Sequence, residues 1–303
     1  MSLCIVILGQ ERSFFRGGSD QFLHVLNTSK THYSRIHVIY VLSGSFQMDK
    51  LNAFIEATGV SSQIIHYDTS QNDIEASQRI RASGYLECKY TYFHRGTSDA
   101  AHGEIGNPDD FLRIATYQFH QLKIAIDAMK TLEPFDVVMK TRYDVWYHPG
   151  FYPMVAPPGA SIEDKILVNN TVKDTFKGAG IDVLSTNFMN YLKEKSVHLP
   201  ECRVAPNLIN YSLGGGYLTN HVGLSQILDG STRILYCLND HVIFGGWNEF
   251  IELRTLCDEY GQRPSPVQIT HYYAQEAQLL IFCFNHGLTP LMYLHNNIHT
   301  IIR

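Results

Sequence analysis

Phe135-Asp136-Val137-Val138-Met139-Lys140, running straight into Thr141-Arg142-Tyr143-Asp144, is the stretch that decides how this chain folds. It is a short apolar, β-branched run with no turn residue inside it, which reads as a strand delivering charged side chains at its tip. Pro134 closes the segment upstream of it. There Asn107 is a candidate N-cap, Pro108 suits a first helical position, and Asp109 and Asp110 complement the helix dipole. Phe111, Ile114, Ala115, Phe119, Leu122, Ile126 and Met129 then recur three or four apart, which predicts a long helix with one apolar face.

Further toward the N-terminus the same alternation repeats. Apolar runs at 3–8, 36–42 and 64–67 read as strands, and the segments 20–26 and 48–58 read as helices, the second stopped by Gly59. Strand, helix, strand, helix implies βαβ units and a largely parallel sheet. Residues 69–106 lose periodicity and read as an irregular insertion. Beyond Pro149 the pattern becomes mixed. A strand, polar turn and strand are expected over 235–246, and helices at about 246–260 and 272–286. The expected fold is α/β: a Rossmann-like, mostly parallel central sheet flanked by helices, with a mixed C-terminal half. One domain over 1–303 is expected, divided into a nucleotide-binding half (1–147) and a more variable half (148–303).

Composition removes several classes of function. The 303 residues hold 24 Lys and Arg against 29 Asp and Glu, a net charge of −5, so there is no basic surplus to neutralise a nucleic-acid backbone. No apolar run reaches the roughly 18 residues needed to span a bilayer, and the N-terminus lacks the basic and small-residue marks of a signal peptide. The six cysteines show no C-x-x-C pair, which suits reduced thiols in a cytoplasmic protein. Gly214-Gly215-Gly216 lacks the Lys-Ser/Thr of a phosphate-cradling loop, and no strand-linked G-x-G-x-x-G opens the chain.

In an open α/β sheet, ligands bind beyond the carboxyl ends of the strands. Those ends collect Gly9-Gln10-Glu11-Arg12, Ser43, Asp68 and Arg142-Tyr143-Asp144. Main-chain groups and Asp68 suit a base and ribose, and a guanidinium suits a diphosphate. Arg142 has a competing structural use, pairing with Asp68 or Asp136.

A hydrophobic strand with an acidic tip, after about 135 residues of alternating β and α, resembles the nucleotide-sugar glycosyltransferases of the GT-A fold. The likeness rests on Ile7–Arg12, on 136–144 and on Asn239-Asp240-His241-Val242-Ile243-Phe244-Gly245. It is to members with a degenerate Asp-x-Asp motif, here Arg142-Tyr143-Asp144, such as capsule, lipopolysaccharide and large-virus glycan transferases. The resemblance implies Asp144 as ligand to Mn²⁺ or Mg²⁺ held by the diphosphate of a UDP-sugar donor, with His295 or His299 completing the shell. It implies a glycan acceptor, with Asp240 as general base or beside the donor sugar; Glu276 is the second candidate base. Inversion is the preferred outcome. Two rivals follow from the same residues: a protein that binds sugar nucleotide or glycan without turnover, which the missing first acid favours, and a sugar nucleotidyltransferase.

Overall fold

A computed structural model describes residues 1–11, 14–68, 108–145, 147, 150–175, 181–182, 233–238, 241–259, 279, 282–283 and 286–293. The described strands are β1 (Ser2–Gly9), β2 (Arg35–Ser43), β3 (Ser61–Tyr67), β4 (Val137–Arg142), β5 (Ile181–Asp182), β6 (Arg233–Leu238), β7 (Val242–Gly245) and β8 (Leu288–Tyr293). They form an eight-stranded sheet in the order β3-β2-β1-β4-β7-β6-β8-β5. Pairing among β3, β2, β1 and β4 is parallel, β7 runs antiparallel to β4 and to β6, β8 lies parallel to β6, and β5 antiparallel to β8. Six strands therefore point one way and two the other. The expected α/β class, with its mixed second half, is what the molecule has.

The helices α1 (Gly18–Lys30) and α2 (Met48–Thr58) link β1 to β2 and β2 to β3. The long α3 (Pro108–Met129) carries the chain back past β2 and β1 to β4. Strand alternation sorts the side chains between two layers. Leu3, Ile5 and Ile7 of β1 join Phe22, Val25 and Leu26 of α1 in one cluster, with Val38, Tyr40, Val137 and Met139 from the neighbouring strands. Cys4, Val6 and Leu8 point to the other side, where α3 buries Phe119, Leu122, Ile126 and Met129. Residues 3–8 are at most 1% exposed, as expected of a parallel strand covered on both faces. At the far end of β4, Asp136 ties that strand to β1 by accepting hydrogen bonds from Ser2 N (2.6 Å) and Ser2 Oγ (3.0 Å).

Sequence reading missed α4 (Ile162–Thr175), which lays Ile162, Ile166, Val168 and Val172 against the α1-side core. Its signal was present as Ser161-x-x-Asp164. The Ser161 hydroxyl donates to Asp164 Oδ2 at 2.9 Å, and Asp164 N donates back to Ser161 Oγ at 3.1 Å, a reciprocal cap of the helix start. α5 (Trp247–Ile251), a 3-10 turn (Glu252–Thr255) and α6 (Leu256–Glu259) then run along α3, as the expected helix at 246–260 requires. Lys123 pairs with Asp258 at 2.7 Å, and Arg254 pairs with Asp127. The described part of the expected helix at 272–286 is limited to 279, 282, 283 and 286.

Cys4, Cys237, Cys257 and Cys283 are buried free thiols. Burial pushes Cys237 up to about 12 and raises Cys4 and Cys283 as well, so none of these three carries thiolate at neutral pH. Native protein treated with an aromatic disulfide reagent should expose no more than two fast-reacting thiols, Cys88 and Cys202. Fast modification of three or more would mean that the described core is open.

Candidate active site at the carboxyl edge of the sheet

The strand order places a topological switch between β1 and β4. The chain leaves β1 toward β2 and β3 on one side and returns to β4 on the other, the arrangement at whose carboxyl ends open α/β sheets bind their ligands. Leu8 is paired with Arg142 across this junction, so Gly9-Gln10-Glu11 and Arg142-Tyr143-Asp144 are neighbours. Two stretches separated by about 130 residues of sequence meet there, as expected. Gly9 has φ +116°, a conformation that L side chains avoid, and it lets the loop turn sharply off β1. β7 begins at the same edge, because its pairing with β4 runs from Lys140↔Ile243 back to Val138↔Gly245.

Arg142 and Asp144 form the charged centre of this edge. Arg142 Nε donates to Asp144 Oδ1 at 2.9 Å and Nη2 donates to Oδ2 at 2.8 Å, a two-point fork. The carboxylate side chain is 3% exposed and the guanidinium 22%. Arg142 therefore pairs with neither Asp68 nor Asp136, the two partners that sequence offered. Asp136 sits at the opposite end of β4, held by Ser2.

The remaining candidates divide by placement. Glu11 accepts from the Gln47 main-chain N at 2.5 Å and from the Gln47 side-chain amide, so it clamps the β1 loop to the start of α2. Tyr143 turns inward: its ring is 1% exposed and packs edge-on to Phe14 (5.2 Å) and Phe46 (4.9 Å). Ser43 is sealed at the tip of β2, while Asp68 is exposed just beyond β3. Arg12, Asp240, Glu276, His295 and His299 lie outside the described residues.

Further buried polar groups lie at this edge. Lys140 is wholly buried, and its Nζ donates to Gln118 Oε1 of α3 at 3.0 Å. The Tyr67 hydroxyl and His120 Nδ1 lie 2.8 Å apart, both buried. Thr141 and Tyr147 join their hydroxyls beneath Asp144. Burial pushes the Tyr147 phenol far up, and the charge of Asp144 adds to that, so it stays a neutral hydroxyl.

A divalent cation does not fit the donor set of the described residues. Among them no three His, Cys, Asp or Glu side chains converge, and both oxygens of Asp144 are already held by a guanidinium. The fork takes one lone pair on each oxygen and the carboxylate is 3% exposed, so the described residues leave a cation little access to it.

A ligand-sized cavity of about 440 Å³ lies at the other edge of the sheet, bounded by the amino ends of β1, β4 and β6 and by the loop before α4. No protein-family model matches the chain, and no curated protein matches it significantly.

Proposed function

We propose that this protein is a glycosyltransferase that binds a nucleoside diphosphate sugar, UDP-linked, across the β1–β4 switch and moves the sugar to a glycan acceptor. The supporting observation is the forked Arg142–Asp144 pair beside the sharp turn at Gly9. Departure of a nucleoside diphosphate concentrates negative charge on its phosphate oxygens, and a fixed guanidinium can stabilise that charge. Two N–H groups of Arg142 are spent on Asp144, which sets the plane of the fork and leaves Nη1 and the second Nη2 proton to face phosphate. Asp144 acts in this reading as the residue that orients Arg142. Asp68 and the main chain of 9–11 take the nucleoside, and Asp240 is the proposed base that removes the acceptor hydroxyl proton. No step is assigned to Mn²⁺ or Mg²⁺.

A non-catalytic, sugar-nucleotide-binding protein is the second reading, because the acid expected to hold the metal is closed off by its own neighbour. Titration calorimetry with UDP, GDP and CDP, repeated with excess EDTA and with Mn²⁺, tests both. UDP binding that changes by less than about threefold on chelation, below 1 kcal/mol, is expected. Slow release of UDP from one UDP-sugar would favour the transferase, and binding without turnover when glycans are supplied would favour the second reading. Binding that requires Mn²⁺ and disappears in Asp144→Ala would restore the carboxylate as a metal ligand. Failure of every nucleotide to bind would end the proposal.

A further inference from the structure

The cavity at the amino edge has no place in that chemistry, since it lies at the opposite end of β4 from Arg142. Its volume falls within the roughly 300–1,000 Å³ typical of small-molecule sites. Its walls are mostly apolar, from Val137, Val155, Pro157, Pro158 and Ile234. The half-buried Trp247 indole is the aromatic wall of the cavity, backed by the buried Phe135 ring 6.2 Å away at 36° and by buried Tyr236.

The polar groups set the ligand class. Lys165 and Arg233 bring two positive charges to the lining, and Asp136 and Glu249 bring two negative ones. The cations are already engaged: Arg233 is held by Glu252 and lies 3.6 Å from Glu249, while Lys165 is buried and has its own contacts within the protein. A phosphate or carboxylate would thus meet no spare charge. Planar hydrogen-bonding groups remain, namely the Asn248 amide and Asp136, whose Oδ2 takes both bonds from Ser2. An indole wall flanked by planar amide and carboxylate groups suits a ring with one apolar C–H face and a rim of hydroxyls.

We propose that this cavity is a second binding site, distinct from the nucleotide edge, for one or two residues of a neutral saccharide. It stands on the lining itself and does not depend on the transferase reading. A transferase acting on a polymer could use it to hold a remote part of the acceptor.

The chain has two tryptophans, so Trp146→Phe leaves Trp247 as sole reporter. Its emission is followed while the full-length protein is titrated with methyl glucoside, methyl galactoside, N-acetylglucosamine, lactose and cellobiose, with sodium phosphate and glucuronate as anionic controls. A saturable change with at least one neutral sugar is expected. Ala156→Phe, which fills the void from the proline loop, should weaken it at least about tenfold. Circular dichroism checks that this variant is folded. Asp136→Asn keeps the planar group and should retain binding within about threefold. UDP affinity, measured in parallel, should be the same in Ala156→Phe, which separates failure at this edge from failure at the other. No saturable response to any neutral sugar, a response only to the anions, or an undiminished response in folded Ala156→Phe would overturn the proposal.

Discussion

Arg142→Ala is expected to lower UDP affinity by about 100-fold or more, because it removes a charged partner worth about 3 kcal/mol to a phosphate in a partly buried site. It should also destabilise the fold by about 3–5 kcal/mol, since Asp144 would be left as a buried carboxylate without its guanidinium. The two effects need separating. Arg142→Met combined with Asp144→Leu removes the whole pair and should recover most of the stability while leaving UDP binding lost. Arg142→Lys keeps a charge but not the planar fork, and it should bind UDP at an intermediate level. Calorimetry and urea unfolding on the same four proteins give the answer. UDP binding at full strength in the double variant would remove Arg142 from the site.

The second large effect is expected in the apolar core behind the charged pair. Phe14→Ala should cost about 3–5 kcal/mol, the range for truncating a large buried aromatic. Phe14 is fully buried in a ring cluster, with centroids 5.2 Å from Tyr143, 5.4 Å from Phe54 and 6.5 Å from Phe22. It follows the β1 loop directly, where its main-chain N donates to Glu11 O at 2.7 Å. Losing the ring would therefore loosen Tyr143 and the Gly9–Glu11 turn together. UDP affinity should drop alongside the urea midpoint, whereas Leu26→Ala, in the same core under α1, should lower the midpoint with little change in affinity. Equal losses of affinity in both variants would show that the site responds to overall stability rather than to this ring.

The parallel half of the sheet was legible because its strands are continuous apolar runs closed by turn residues. A strand covered on both faces must have that composition. Gly59 was readable as a stop for the same kind of reason: it ends α2 in the left-handed conformation, φ +61°. The neighbourhood of Arg142 with Gly9 also followed, since strand ends of an open sheet converge on the switch. Partnerships within the site were harder. Arg142 was offered Asp68 and Asp136 as mates, but its acid is two residues on, in the turn that ends β4, where strand alternation gives no guide. Tyr143, between them, faces the core, which removes it from the ligand side. The amino-edge cavity left no local signature, because its walls come from residues 1, 135–137, 155–165 and 233–249, brought together only by the fold.

The central position of β1 has a consequence for how the chain is made. One flank of this strand is satisfied early, by β2, whereas the other belongs to β4, whose last residue is Arg142. Some 75 residues of synthesis separate the end of β3 from the end of β4. At bacterial-to-eukaryotic elongation speeds of roughly 5–20 residues per second, that interval is about 4–15 s. Throughout it, the nascent protein presents a bare edge of unpaired N–H and C=O groups on a strand of apolar side chains, a natural docking point for a holdase and the stage at which crowded translation would most readily produce aggregates.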